Sequence, residues 1–114
     1  MIVKKERIPV AEELDPMGGH GHLLLEEISG AIPLNARIET LAKATLAPGA
    51  EVGYHVHDTD AEAYYFLSGI GEYSDGKSTV TVRAGDVTFT PSGEGHGVKN
   101  AGSEDLVFLA LSVI

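Results

Sequence analysis

Residues 49–69, GAEVGYHVHDTDAEAYYFLSG, combine histidines and a carboxylate at a spacing that decides how the rest of the sequence is interpreted. The stretch is bounded by glycines and contains two histidines one residue apart, His55 and His57, followed by Glu62. Residues i and i+2 of an extended strand point to the same face, so we expect the two imidazoles side by side. A turn at 58–60 would let the strand that begins with Glu62 return beside them.

A second stretch, residues 85–100 (GDVTFTPSGEGHGVKN), supplies His96, which lies 34 residues beyond Glu62. Distant strands meet around the interior of a closed or sandwich-like barrel, so His96 can join the first three residues. Isolated histidines are usually ordinary surface or core residues, but burying several beside a carboxylate requires compensating positive charge. The sequence therefore predicts one site for a divalent transition metal, since imidazole and carboxylate suit most first-row ions.

The spacing of glycine and proline predicts an all-β fold. The chain has 114 residues, which we interpret as one domain (1–114), with 14 glycines and five prolines at short intervals. We expect no helix longer than a single turn, at Glu12 and Glu13. The predicted strands are a short one at 2–5 and others at 23–28, 37–47, 51–57, 63–67, 71–74, 77–83, 86–90, 96–100 and 105–113.

Composition excludes several classes of partner. The formal net charge is -9 with only eight Lys and Arg, so nucleic acid and anionic membrane surfaces are not expected partners. The absence of cysteine excludes disulfides and thiolate ligands, so nitrogen and oxygen must hold any metal. No signal peptide and no apolar run of membrane-spanning length is recognisable, and we expect a cytoplasmic protein.

Both stretches resemble the two conserved motifs of the cupin superfamily. The first reads Gly49, five residues, His55-x-His57, four residues, Glu62, six residues, Gly69. The second reads Gly85, five residues, Pro91-x-Gly93, two residues, His96, three residues, Asn100, and the segment between the motifs is short. The spacing matches without a gap, and the chain looks like a small single-domain microbial cupin of the oxalate decarboxylase-like or mannose-6-phosphate-isomerase-like kind.

The resemblance implies a double-stranded β-helix, or jelly-roll, barrel with a metal in its mouth. It implies that His55, His57, Glu62 and His96 hold one divalent ion, which could be Mn, Fe, Ni or Zn. Four protein ligands would leave about two positions of an octahedron for water or a ligand. The resemblance also implies a homodimer, and the apolar C-terminal strand and the sheet edges of a small barrel favour one.

Two hypotheses for function remain open from the sequence. The first is a decarboxylase, dioxygenase or sugar isomerase that uses the metal as a Lewis acid on a small oxygenated acid or sugar. The second is a non-enzymatic module that binds or senses a small ligand, with a structural metal. An enzyme normally needs an acid or base beyond the metal ligands. Candidates are His20 and His22 in a glycine-rich loop, and Glu94 before His96, although exposed loop positions are the simpler interpretation of all three.

The parity of other residues gives further expectations. Tyr64 and Phe66 share the parity of Glu62 and should face the interior, whereas Tyr65 has the opposite parity. Lys43 and Arg37 share one strand face and could reach an anionic ligand, but a solvated face is the simpler interpretation.

Overall fold

The computed structural model describes residues 1–114 and contains ten strands. They are β1 Val10–Leu14, β2 His22–Glu27, β3 Ile38–Leu46, β4 Glu51–Val56, β5 Ala61–Ser68, β6 Ile70–Ser74, β7 Thr79–Arg83, β8 Val87–Thr90, β9 Gly95–Asn100 and β10 Leu106–Val113. Helical structure is limited to three 3₁₀ turns, at Lys5–Arg7, Pro16–Gly18 and Ile28–Gly30. The all-β prediction is confirmed. None of the helical segments is long and apolar enough to cross a membrane.

The strands form two antiparallel sheets that enclose the core. One sheet has six strands in the order β1-β2-β3-β10-β5-β8, and the other has four in the order β4-β9-β6-β7. Alternate residues of β10 are buried, including Leu106 and Phe108, and they pack with Phe66 and Leu46 between the sheets. This period-two burial is what a sheet with one solvated face requires.

The N-terminal segment differs from the prediction. Residues 2–5 form no strand, and the edge strand β1 lies instead at Val10–Leu14, in place of the single helical turn expected at Glu12 and Glu13. This strand pairs with β2 from Val10↔Glu26 to Leu14↔His22. Both apolar ends of β1 are exposed, so its hydrophobic pattern does not reveal the strand. Backbone pairing to β2 decides its position.

A tight hairpin joins β6 to the antiparallel β7. Gly76 adopts a positive φ of 90°, which favours glycine, and the Asp75 carboxylate accepts hydrogen bonds from the backbone amides of Lys77 and Ser78. These contacts also hold the pKa of the exposed Asp75 carboxyl below its usual value.

The glycine-rich segment 15–21 lies against the outer edge of β4. His20 and Glu51 exchange backbone hydrogen bonds of 2.9 and 2.7 Å. Gly19 and Gly53 permit the close approach, because a Cβ on Gly53 would lie 2.2 Å from the Met17 carbonyl oxygen. The segment is therefore held in place beside the strand that leads to His55.

Candidate metal centre

The four residues predicted as metal ligands converge at one end of the space between the sheets. His55, His57, Glu62 and His96 each offer a ligand atom, and these atoms all lie within 4.8 Å of one another. The imidazole centroids are 4.7–4.9 Å apart. His55 is paired across the sheet with His96, which brings the two motifs together.

Two of the histidines have acceptors at Nδ1 that select their tautomer. The Nδ1 atom of His55 lies 2.8 Å from the Gly53 carbonyl oxygen, and that of His57 lies 2.9 Å from Asp60 Oδ1. A carbonyl or a carboxylate can only accept, so each Nδ1 carries the proton. Each Nε2 then presents a lone pair to the cluster, which is the form that binds a metal.

His96 is held by a buried chain of hydroxyl groups. Its side chain is buried, and its Nδ1 lies 2.8 Å from the Tyr73 hydroxyl, which is 3.0 Å from Thr90 Oγ1. The Tyr73 hydroxyl is placed to accept from Nδ1 and to donate to Thr90. Burial raises the pKa of Tyr73, so this hydroxyl keeps its proton.

Glu62 is oriented by a residue on the neighbouring strand. Ser112 donates a hydrogen bond of 2.9 Å to Glu62 Oε2, which leaves Oε1 directed at the histidines. Burial opposes ionisation of this carboxyl, but contacts with His96 and Ser112 outweigh it and hold the pKa of Glu62 below its usual value. Glu62 is therefore an anion in the cluster.

The cluster requires positive charge at its centre. The Nε2 atoms of His57 and His96 are 2.9 Å apart, and Glu62 Oε1 lies 3.2 and 3.0 Å from them. Lone pairs and a carboxylate at such distances repel one another unless a proton or a metal ion lies between them. Burial and the neighbouring histidines lower the pKa of His55, so protonation is a poor solution there. The donor set fits a divalent transition metal.

A cavity of about 260 Å³ lies beside the cluster. His55, His57 and Glu62 line it on one side. Tyr64 also lines it, and burial together with the nearby Glu62 charge raises the pKa of Tyr64 well above its usual value. The remaining wall is mostly apolar and comes from the inner face of the six-stranded sheet. A small molecule in this cavity would lie next to the four candidate ligands.

The three other candidate residues lie away from this cavity. His22 is exposed and its Nδ1 lies 2.9 Å from Glu12 Oε1 on the outer surface. His20 is exposed and contributes only backbone hydrogen bonds to Glu51. Glu94 is exposed in an outer groove beside Tyr54. The structure brings none of them to the cavity, which is bordered instead by Met17 from the glycine-rich segment.

The expectations from parity agree with the structure. Tyr64 and Phe66 are buried at 5% and 0% exposure, whereas Tyr65 is 45% exposed. Lys43 lies on the outer face, where it pairs with Glu26 at 3.8 Å, and Arg37 is exposed. Neither cation lines the cavity.

The residues that orient the ligands were not predicted from the sequence. Asp60 could have been found from the sequence, because an acidic residue in the turn just after a histidine can reach back to the imidazole. Ser112 is 50 residues from Glu62 and meets it only because β10 pairs with β5. Tyr73 likewise reaches His96 only because β6 pairs with β9 in the four-stranded sheet.

Comparison with known proteins places the chain in a family. A family model described as "Cupin domain" matches residues 42–113. The chain is 34% identical over 114 residues to an oxalate-binding protein of Thermotoga maritima, covering all of this chain and 94% of that protein. It is 40% identical over 80 residues to an oxalate decarboxylase of Bacillus subtilis, which covers 64% of this chain and only 21% of that protein.

Solved structures support the same relationship. A crystal structure described as a predicted oxalate decarboxylase of Thermotoga maritima superposes with a TM-score of 0.89 at 34% identity. The match covers 100% of this chain and 99% of that chain. The expected jelly-roll architecture is thereby confirmed. With its two motifs, its two-sheet fold and these relatives, the chain belongs to the cupin family.

Proposed function

We propose that the protein binds one divalent transition metal, Mn, Fe, Ni or Zn, through His55, His57, Glu62 and His96, and binds a small oxyanion beside it. One observation carries the proposal. Three imidazole nitrogens and a carboxylate converge within 4.8 Å, and the tautomers of His55 and His57 are set so that their lone pairs face inward. A bound metal would supply a Lewis acid that polarises the oxygens of the ligand.

Oxalate is the first oxyanion to test, because two relatives are named for oxalate binding and oxalate decarboxylation. The cavity offers such a ligand no lysine or arginine. Binding should therefore depend on the metal for positive charge. The side chains of this protein would enclose the ligand and exclude water from one side of it.

The test is elemental analysis of untagged protein, followed by titration calorimetry with oxalate before and after chelation. We expect about one metal per chain and oxalate binding that disappears with the chelator. His57→Ala should lose the metal, whereas His22→Ala, a histidine on the outer surface, should retain it. Protein that takes up no metal on reconstitution would refute the proposal, as would oxalate binding unaffected by chelation.

Enzymatic turnover is the second candidate, and Glu13 is the observation that favours it. Glu13 lies opposite Leu23 in the β1–β2 pair, on the face of the sheet that lines the cavity. Its carboxyl group is part of the cavity lining and is separate from the four candidate ligands, which is the position that an acid or base for turnover requires. Loss of oxalate or keto-acid turnover in Glu13→Gln, with metal and ligand binding retained, would support an enzyme. Absence of turnover by the metal-loaded protein would leave the binding function alone.

We also propose that two copies pair through the outer face of the six-stranded sheet. Tyr65, Val87 and Phe89 are 45%, 64% and 64% exposed there; Val87 pairs with Tyr65, and Tyr65 pairs in turn with Leu109 of β10. A continuous apolar patch of this kind favours association. Sedimentation velocity should show a dimer that Phe89→Glu converts to monomer. Val80→Glu, on an exposed position of the other sheet, should leave the dimer intact, and a monomeric wild-type protein at micromolar concentration would contradict the idea.

A further inference from the structure

The cavity beside the histidines is larger than oxalate requires. Its volume is about 260 Å³, whereas one water needs roughly 10–15 Å³ on a comparable measure. Oxalate consists of two carboxylates and nothing else, so a molecule bound at the histidines would leave most of the space unfilled. The ligand of this site should have a part that reaches away from the metal.

The wall away from the histidines is apolar. It is formed by the inner faces of β2, β3 and β10, and the short side chains of its alanines create the space. Its members are Leu23, Leu25, Ala42, Phe108 and Ala110. An apolar group of a ligand against this wall would remove both its own surface and the surface of the wall from water. This burial contributes about 25 cal/mol per Å² of apolar area. A second carboxylate placed there would lose its hydration without gaining a partner.

The charged groups around the cavity are all acidic apart from the histidines. Glu13, Glu39 and Asp60 line it together with Glu62, and no lysine or arginine does. Lys43 is on the other face of the sheet with Glu26. Each negative charge on a ligand is therefore opposed by several carboxylates, so a singly charged ligand is favoured over a doubly charged one.

Met17 supplies a further apolar contact at the mouth. Its backbone has a φ of 52°, a left-handed conformation that costs a non-glycine residue roughly 1–2 kcal/mol. The contact of its carbonyl with Gly53 holds it there, and its side chain borders the cavity while remaining 62% exposed. A flexible thioether side chain adapts readily to an apolar ligand. Strain that places an apolar side chain at a cavity mouth indicates a role in binding.

We infer that the ligand of this site is a singly charged chelating acid with a short aliphatic chain, of the 2-oxo acid class, rather than a dicarboxylate. The 2-oxo carboxylate group would lie at the metal ligands, and the chain would lie between Phe108, Ala110 and Met17. The inference rests on the proposed function, because it assumes a metal at the four ligands. It adds which oxyanion the walls of the cavity select.

The experiment is calorimetric titration of metal-loaded protein with oxalate, pyruvate, 2-oxobutanoate and 4-methyl-2-oxopentanoate. Each added carbon should raise affinity up to about fourfold, since a buried methylene contributes on that scale. We expect 4-methyl-2-oxopentanoate to bind at least tenfold more tightly than pyruvate, and more tightly than oxalate. Affinity that does not rise along the series, or oxalate binding more tightly than every chain-bearing acid, would overturn the inference.

Variants test which surfaces are responsible. Ala110→Leu should weaken the binding of 4-methyl-2-oxopentanoate at least tenfold while changing the affinities for pyruvate and oxalate less than threefold. Ala101→Leu, in an exposed turn, is the control and should change none of these affinities. Met17→Ala alters an exposed side chain that folding does not need, and it should weaken only the longer acids. Glu13→Gln should improve oxalate relative to pyruvate. If Ala110→Leu and Met17→Ala each changed the affinities for all four acids by the same factor, the result would count against the inference.

The outcomes separate this inference from the proposed function. If no acid binds the metal-loaded protein, the proposed function fails and the inference fails with it. If oxalate binds in a metal-dependent way and chain length has no effect, only the inference fails.

Discussion

The Nε2 atoms of His57 and His96 lie 2.9 Å apart, although the two residues are 39 positions apart in the chain. Behind them, Asp60 holds the Nδ1 of His57 and Tyr73 holds the Nδ1 of His96. The two rings are therefore fixed from their outer sides with their inner nitrogens facing one another. Such an arrangement destabilises the folded protein when no cation is present, because the inner nitrogens repel one another. It becomes stabilising when a cation lies between them.

Metal binding should stabilise the fold. A ligand at 100 times its dissociation constant adds about 2.7 kcal/mol to the free energy of unfolding, which for a chain of this size corresponds to roughly 10 °C in melting temperature. We expect this difference between protein with excess metal and protein with chelator, measured by circular dichroism. His57→Ala should lose the difference and His22→Ala should keep it. Equal melting temperatures with metal and chelator in the wild type would contradict the site.

Removal of the Asp60 charge should weaken metal binding. Asp60→Asn keeps an oxygen that can accept a hydrogen bond from His57 Nδ1. It loses the negative charge that makes the imidazole a stronger electron-pair donor to the metal. Groups in this position typically contribute 10–100-fold to metal affinity. Competition with a chromophoric chelator would measure the change. Asp58→Asn, two residues away in the same turn, is the matched control, and equal affinities of the two variants would refute a special role for Asp60.

The metal-free protein should lose stability as pH falls. The pKa of His55 is lowered from its ordinary 6.5, so below pH 6.5 the unfolded chain takes up a proton that the folded protein resists. The pKa of Glu62 is also lowered, from an ordinary 4.5, and its contribution is lost as pH falls further through the folded value. Both lowered pKa values therefore predict that the free energy of unfolding decreases as pH falls. Urea midpoints at pH 7.5, 6.5 and 5.5 in the presence of chelator should decrease in that order.

A variant provides the control for this pH dependence. His55→Gln removes the titrating group, so the midpoint should change less between pH 7.5 and 5.5 than in the wild type. A urea midpoint of the wild type that rises from pH 7.5 to pH 5.5 would contradict the predicted loss of stability. Metal affinity should fall over the same range, because protons compete with the metal for the imidazole nitrogens.

Asn100 should be important for stability rather than for binding. It is buried, and its amide donates to the carbonyl oxygens of Leu46 and Glu104 while accepting from the Gly102 amide. Asn100→Ala should reduce the free energy of unfolding by about 2–4 kcal/mol, because two carbonyls lose their partner. Asn35→Ala removes one exposed hydrogen bond to Arg37 and should cost less than about 1 kcal/mol. Chemical denaturation of both variants checks the difference.

Much of the candidate site could be predicted because its information is local. The side-chain alternation of a strand places His55 and His57 on one face, and the same parity places Tyr64 and Phe66 inside and Tyr65 outside. Glycine and proline spacing was sufficient for most strands. The strand β1 was not predicted, because an exposed edge strand of charged residues has no hydrophobic pattern and is defined by its pairing with β2.

The sequence by itself determined the kinds of donor, their spacing along two motifs and the β-rich architecture that brings the motifs together. Only the tertiary structure decided which residues orient those donors, because Ser112 and Tyr73 meet their partners across strands far apart in the chain. The same is true of the cavity. Its apolar wall and acidic rim arise from strands β1, β2, β3 and β10, and side chains on separate strands become neighbours only when the sheets have formed and faced one another.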